Sequence, residues 1–244
     1  SGKTLAYTLP ILHYVLEHSA HTEDTQRELE ALILTPTREL ALQVCTHIRA
    51  VVDAAGRFAN VATVCGGMSV QKQERMLQQH GGAHVIVATP GRLWDLLKQD
   101  DALALRVRRT RFLVIDEADR MIETGHFAEM DSILSMVRRT KGAVADANSA
   151  MQTFVYSATM TKTLQANLKR APWRKKQRTA ASSNNNTLDD LLARIDFRDP
   201  EPVVIELTPQ RHVADTLYEA KIECVGQDKD TYLYLSLIHI SEPT

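Results

Sequence analysis

Residues 112–119 read FLVIDEAD, four apolar residues followed at once by a segment with three carboxylates. An apolar run without polar alternation is typical of a strand that is covered on both faces, as in the parallel sheets of α/β proteins. Sheets of this kind bind ligands at the carboxyl ends of their strands. The acidic residues therefore stand where a ligand site is expected.

Similar apolar runs lie on both sides of this stretch: ALIL (31–34), VATVC (61–65), VIVA (85–88) and TFVY (153–156). Between the first two runs, Leu40, Val44 and Ile48 recur at steps of four, which places them on one face of a helix. Buried strands that alternate with amphipathic helices predict a doubly wound parallel sheet. The predicted fold class is α/β.

A polar or glycine-containing segment follows each run: TPTREL, GGM, TPGR, DEAD and SAT, in chain order. Because the carboxyl ends of parallel strands meet at one edge of a sheet, these five segments are predicted to line that edge together.

The chain opens on SGKT, residues 1–4, ahead of a stretch in which leucines recur with helical spacing at Leu5, Leu9, Leu12 and Leu16. In a P-loop the lysine of GKT contacts the β and γ phosphates and the threonine hydroxyl ligates Mg²⁺. Lys3 and Thr4 are the candidates for these roles. An isolated GKT also occurs by chance.

Asp116 and Glu117 directly follow a predicted strand, as in a Walker B motif. There the aspartate holds Mg²⁺ and the glutamate prepares the water that attacks the γ-phosphate. An acidic helix N-terminus stabilised by the helix dipole is the other interpretation of the tetrapeptide. The GKT upstream and the SAT downstream favour the nucleotide site.

In order and spacing, SGKT, PTRELA, GG, TPGR, DEAD and SAT resemble motifs I, Ia, GG, Ib, II and III of the DEAD-box RNA helicases over residues 1–176. The resemblance implies a RecA-like P-loop NTPase domain. Finer segments are similar to the nucleolar branch that acts in large-ribosomal-subunit assembly, namely GGMSVQKQ, TPGRLWDLL, DEADRM with GHFAEM, and ECVGQDKDTYLY.

The resemblance implies that ATP and Mg²⁺ are the cofactors. Thr4 and Asp116 would hold the metal, and Lys3, Asp116 and Glu117 would be the catalytic residues. Ser157 and Thr159 would link the nucleotide site to the RNA-bound state, although a strand-to-helix cap is the other interpretation of SAT. The implied nucleotide-binding set is Ser1, Gly2, Lys3, Thr4, Asp116, Glu117, Asp119, Ser157 and Thr159.

The resemblance also implies an RNA-binding set, which is Pro36, Thr37, Arg38, Gly66, Gly67, Thr89, Pro90, Gly91 and Arg92. Glycines let backbone amides approach phosphates, helix N-termini favour anions, and arginines supply bidentate donors. Backbone contacts of this kind do not read base sequence. Taken singly, TPTREL is also compatible with a capped helix start and TPGR with a turn.

The charge balance excludes a global basic field, because 29 Lys and Arg face 30 Asp and Glu in 244 residues, a formal net charge of -1. A nucleic-acid site must therefore be local. Three widely spaced cysteines without a CxxC pair argue against a zinc site or a disulfide framework and favour a reducing, intracellular compartment. No apolar run is long enough to predict a membrane span.

The predicted organisation has four parts: a RecA-like domain over 1–176, a polar linker over 177–188, the beginning of a second RecA-like domain over 189–235, and an artefactual tail over 236–244. A strand is predicted from Val203 to Leu207. The missing methionine at Ser1 and the short remainder after the linker predict a chain truncated at both ends, which alone would be inactive.

The function expected from the resemblance is that of an ATP-dependent RNA helicase, in which RNA-stimulated ATP hydrolysis is coupled to local unwinding of RNA duplexes. Pre-ribosomal RNA and pre-ribosomal proteins are the implied partners, and the nucleolus or nucleus is the implied location. Two alternatives stay open at this point: an RNA-binding or scaffold protein without catalysis, and a P-loop ATPase that acts on DNA.

Overall fold

The computed structural model describes residues 2–19, 28–78, 81–123, 127–137, 151–158, 195, 203–205 and 223–241. The chain divides into two compact units, Ser1–Val204 and Ile205–Thr244. All of the predicted site segments belong to the first unit.

Five strands form one parallel sheet in the order β2-β3-β1-β4-β5. Their bounds are β1 Ala31–Leu34, β2 Val61–Val64, β3 Val85–Ala88, β4 Phe112–Ile115 and β5 Gln152–Val155. The α/β class and the parallel sheet predicted from the sequence are confirmed. The shifts from the predicted bounds are one residue, because β2 ends before Cys65 and β5 is displaced toward the N-terminus by one position.

Eight helices lie within the described residues: α1 Lys3–Ser19, α2 Arg38–Ala54, α3 Val70–Gln78, α4 Pro90–Leu97, α5 Asp101–Arg108, α6 Ala118–Glu123, α7 Phe127–Val137 and α8 Lys229–Ser241. Local signals explain where several of them begin. The Thr37 side chain accepts a hydrogen bond from the amide of Leu40 and caps α2, and Asp100 caps α5 in the same way. None of the helices in this described set could cross a membrane.

The sheet has a separate apolar core on each face, because alternate residues of a strand point to opposite sides. Ala31 and Ile33 of β1 face one side, where they pack with α1 and α2. Leu32 and Leu34 face the other side, where they pack with α4, α5 and α7. The first unit is therefore a three-layer α/β/α arrangement.

Helix α1 buries a different stripe from the leucine stripe that marked it in the sequence. Leu12 is buried, but Leu5, Leu9 and Leu16 are about half exposed. The face that packs on the sheet carries Tyr7, Ile11, Leu12 and Val15. The helix prediction is confirmed, and the choice of face places the Tyr7 hydroxyl beneath the strand ends.

All five strands end on one row of the ladder. Leu34 is paired with Ala88 on one side and with Ile115 on the other, and the outer strands continue the row with Val64 and Val155. Backbone hydrogen bonds extend one residue further, since the amides of Thr35, Thr89, Asp116 and Tyr156 donate to the neighbouring strands at 2.8–3.0 Å. The segments that follow therefore leave the sheet along one edge.

The second unit is described at Ile205 and over 223–241 and contains helix α8, in which Tyr232, Leu233, Tyr234 and Leu235 are exposed. The predicted linker over 177–188 lies outside the described residues, and the predicted domain bounds and tail stay predictions. The strand predicted from Val203 is wrong over its described part: Val203–Ile205 form no strand, and Val203 and Ile205 are exposed.

We expect Leu32→Ala to lower the free energy of unfolding by about 2–5 kcal/mol, because Leu32 is fully buried in the central strand and its loss leaves a cavity. Leu42→Ala on α2 is the matched control, since Leu42 is 40% exposed. Denaturant unfolding should place the control within about 0.5 kcal/mol of the original chain. Equal losses for both variants would contradict the core assignment.

Candidate functional site

The edge at the carboxyl ends of the strands carries two groups of predicted site residues. The DEAD and SAT segments follow β4 and β5, which are neighbours at one side of the sheet. The GG, TPGR and PTR segments follow β2, β3 and β1, which are neighbours at the other side. The strand order therefore separates a DEAD half of the edge from an arginine half.

Asp116 is the central carboxylate of the DEAD half and is 4% exposed. The Tyr7 hydroxyl donates to its Oδ2 atom at 3.0 Å, and the Glu117 amide donates to its Oδ1 atom at 3.0 Å. Burial raises the pKa of Asp116 above its ordinary value, while the Tyr7 hydrogen bond and the charge of Lys3 act in the opposite direction. Each carboxylate oxygen keeps a further lone pair for a ligand.

Tyr7 joins the first predicted motif to the DEAD segment across 109 residues of sequence. The Thr4 side chain interacts with the same phenol and acts to lower its pKa. Burial, reinforced by the Asp116 carboxylate, keeps the pKa of Tyr7 far above its ordinary value, so the phenol remains a donor. Gly2, with φ +73°, precedes the helix start at which Lys3 and Thr4 lie half-buried.

Sequence reasoning missed Tyr7. Its only sequence signal is a phenol at position 7 of an otherwise apolar stripe with Ile11 and Val15. A buried tyrosine hydroxyl needs a hydrogen-bond partner. That requirement could have been stated in advance, but the identity of the partner could not.

Glu117 has backbone φ of +50°, in the left-handed region that costs a side-chain-bearing residue about 1–2 kcal/mol. The next residue links this segment to the end of β5, because the Ala118 amide donates to the Tyr156 carbonyl at 2.9 Å. The Glu117 carboxylate accepts from the Arg120 guanidinium at 2.9 Å. Backbone strain at this edge therefore coincides with the predicted catalytic glutamate.

The remaining residues of this half follow β5, the strand next to β4, or lie on α6. Tyr156 packs its ring against Tyr7 with 5.2 Å between centroids, and Ser157 follows it directly. Asp119 is buried in the first turn of α6. Ser1 and Thr159 lie outside the described residues.

In the arginine half, Arg38 links the PTR segment to the GG segment. Arg38 is the first residue of α2 and is exposed. Its guanidinium lies against Gly67, in the space that a Cβ atom at that position would take. Gly67 has φ +76°, so both its backbone conformation and this close approach require glycine.

Gln73 links the GG segment to the TPGR segment and was also missed by sequence reasoning. It is fully buried, and its Nε2 atom donates to the Cys65 carbonyl at 2.7 Å and to the Met68 carbonyl at 3.3 Å. Its Oε1 atom accepts from Arg92 Nε at 3.1 Å. A glutamine fully buried in a polar helix is detectable only once α3 is packed.

The other predicted RNA contacts differ in accessibility. Pro36, Thr89 and Pro90 are buried and shape the backbone of their turns. Arg38, Gly66 and Gly67 are exposed, and Thr37, Gly91 and Arg92 are half-buried. The accessible groups are therefore two guanidiniums, glycine backbone and the N-terminus of α2, a combination suited to binding phosphates.

A three-variant series tests the glycine requirement at position 67. Gly67→Ala should lower the free energy of unfolding by about 1–2 kcal/mol because of its positive φ, with Arg38 swinging away from the new methyl group. Gly56→Ala, at φ +95° with open space, should cost a similar amount. Gly66→Ala, in open space without a positive φ, should stay within about 0.5 kcal/mol.

Chemical denaturation measures all three variants. A Gly66→Ala loss as large as that of Gly67→Ala would show that the turn, and not the conformation of one glycine, sets the cost.

Comparison with known proteins shows a match between residues 1–166 and the DEAD/DEAH box helicase family. A protein named ATP-dependent RNA helicase mak5 from Aspergillus fumigatus is 38% identical over 98% of this chain and 33% of its own length. The ATP-dependent RNA helicase MAK5 of Eremothecium gossypii is 39% identical over 96% of this chain and 31% of its own. The chain thus spans about a third of these relatives.

Solved structures give the same result. Mss116p bound to single-stranded RNA and AMP-PNP superposes with a TM-score of 0.56 and 26% identity, over 68% of this chain and 31% of that chain. The yeast DEAD-box splicing factor Prp28 superposes with a TM-score of 0.54 and 32% identity, over 68% of this chain and 37% of that chain. These similarities confirm the RecA-like architecture.

Proposed function

Because the chain belongs to the DEAD/DEAH box helicase family, we propose that it binds ATP on the DEAD half of its strand-end edge and RNA on the arginine half. The protein would then be an ATP-dependent RNA helicase, in which RNA-stimulated hydrolysis drives local duplex unwinding. The observation that carries the proposal is the common row at which the five strands end, which brings the segments that follow them to one edge.

On the DEAD half, the residues fit a nucleotide with Mg²⁺. Thr4 and Asp116 offer the hard oxygen ligands that Mg²⁺ prefers, and the Tyr7 hydroxyl of the helix that carries Thr4 donates to Asp116. Lys3 and the N-terminus of α1 offer positive charge to phosphates. When bound, Mg²⁺ would neutralise phosphate charge in the transition state.

Glu117 is proposed as the general base, whose carboxylate accepts a proton from the attacking water. Asp119, Ser157 and the residues Ser1 and Thr159 complete the proposed nucleotide set by family resemblance. Arg120 forms an ion pair with the Glu117 carboxylate.

On the arginine half, the proposed RNA contacts are made to the sugar-phosphate backbone. Arg38 and Arg92 provide guanidinium donors, and Gly66 and Gly67 provide backbone that phosphates can approach closely. Contacts of this kind fix the position of the strand without reading bases.

The segments similar to the nucleolar branch support pre-ribosomal RNA as substrate, pre-ribosomal proteins as partners and the nucleolus as location. Among them, GGMSVQKQ contains Gln73, and TPGRLWDLL contains Arg92, which contact each other. The location of a fluorescently tagged protein in cells tests the proposed nucleolar location separately. Uniform cytoplasmic fluorescence would contradict it.

Glu117→Gln tests the catalytic assignment in a chimaera in which this chain replaces the matching third of the Aspergillus fumigatus relative. The amide keeps the shape of the side chain but cannot accept the proton. We expect retained ATP binding and RNA-stimulated hydrolysis lowered by roughly 10²- to 10⁴-fold.

The matched control is Glu123→Gln, an exposed carboxylate at the end of α6, the helix that begins directly after Glu117. It should hydrolyse ATP at the rate of the unsubstituted chimaera. Unchanged hydrolysis in Glu117→Gln would remove this residue from the mechanism, and an unsubstituted chimaera without turnover would favour an RNA-binding scaffold.

Arg38→Ala and Arg92→Ala test the RNA surface in the chain itself. Each should weaken binding of single-stranded RNA about equally for all base sequences. Each should also reduce the slope of log K for RNA binding against log salt concentration by about one, the value for one lost phosphate contact. Arg108→Ala is the control, because Arg108 ends α5 at the opposite edge of the sheet.

Fluorescence anisotropy at several salt concentrations gives both quantities. An identical salt slope in the two variants and the control would contradict the proposed surface. Measuring the binding of DNA of the same sequence in parallel tests the alternative of an ATPase that acts on DNA, because only RNA offers the 2′-hydroxyl.

A further inference from the structure

We propose that Gln73 is a positioning residue that fixes the Arg92 guanidinium for contact with RNA phosphate and ties it to the GG segment. This inference rests on the proposed function, because it deepens the role of the arginine half. Nothing in the motif resemblance assigns a role to Gln73.

The contacts of Gln73 use both ends of its amide. Its NH₂ group lies between two carbonyls, those of Cys65 and Met68, and its oxygen faces Arg92 Nε. Carbonyls only accept and a guanidinium only donates, so a single orientation of the amide satisfies all three neighbours. The buried Gln73 amide therefore keeps one orientation, in which its oxygen accepts from Arg92 Nε.

The bond to Arg92 uses the inner nitrogen of the guanidinium. Arginine has five N–H donors, and the Nε–H is the one consumed here. Among the described residues, the two Nη groups have no hydrogen-bond partner in the protein. Fixing the plane through Nε leaves the outer fork free for a bidentate contact with phosphate.

Gln73 carries no charge, which matters because the proposed ligand is an anion. Elsewhere in the described chain, Arg57, Arg111 and Arg120 each pair with a carboxylate. A carboxylate at position 73 would also hold Arg92, but it would cancel the charge that attracts phosphate. A buried amide supplies the orientation and preserves the positive charge. Such preorganisation strengthens binding, because less side-chain freedom is lost when the ligand arrives.

A double-mutant cycle separates this positioning role from a general contribution to the fold. Gln73→Met keeps the length of the side chain and removes both polar groups. Gln71→Met, on the exposed face of the same helix, is the matched control. Each is combined with the native Arg92 and with Arg92→Ala, and binding to a fluorescein-labelled oligouridylate is measured by anisotropy together with thermal stability.

With native Arg92, we expect Gln73→Met to weaken RNA binding roughly threefold to tenfold. In the Arg92→Ala background the same substitution should change affinity by less than about twofold, because the residue it positions is gone. Gln71→Met should have no effect in either background. If Gln73→Met does not fold, Gln73→Asn, which keeps the amide one methylene shorter, is measured against the same expectations.

The failures are distinguishable. If Arg92→Ala weakens binding but Gln73→Met matches Gln71→Met, the positioning role is wrong and the proposed RNA surface stands. Equal weakening by Gln73→Met in both backgrounds also overturns the positioning role, since it then acts independently of Arg92. If Arg92→Ala itself has no effect, the proposed function of this surface fails and the inference fails with it.

Discussion

The common row at which the five parallel strands stop pairing is the constraint on which the other features depend. Leu34 sits at its centre, paired with Ala88 and Ile115, and four further hydrogen bonds extend the ladder to Thr35, Thr89, Asp116 and Tyr156. A shift of one strand by a residue would turn its side chains to the other face and separate the two apolar cores from their helices. The cores therefore hold the functional edge in register.

In each half of that edge, a buried polar side chain on a helix hydrogen-bonds a site residue. Tyr7 of α1 donates to Asp116, and Gln73 of α3 bonds both the Cys65 carbonyl and Arg92. Buried polar groups are stable only when they are hydrogen-bonded, so the two side chains and their partners constrain each other. A hydrogen bond from a buried side chain thus fixes the Asp116 carboxylate in the DEAD half and the Arg92 guanidinium in the arginine half.

The sequence predicts the five strands of the sheet and the segments that follow them, because apolar runs and the residues after them are local patterns. It does not predict Tyr7 or Gln73, whose partners lie 109 and 19 residues away and depend on how the helices pack. The face of α1 was equally undetermined, since a leucine stripe and a stripe with Tyr7 both have helical spacing. Packing selects the second, and Leu5, Leu9 and Leu16 remain exposed.

The arginine half also shows how a chain with formal net charge -1 could offer the local anion site that we propose. Within the described residues, neither Arg38 nor Arg92 forms an ion pair; Arg38 lies against Gly67, and Arg92 is held by Gln73. Neither a glycine backbone nor an amide neutralises the charge of a guanidinium, whereas a carboxylate would. Both charges therefore remain available at the edge, where the N-termini of α2 and α4 add their own partial positive charge. Because these groups are oriented by the fold and address charge alone, the surface suits a phosphate backbone of any base sequence.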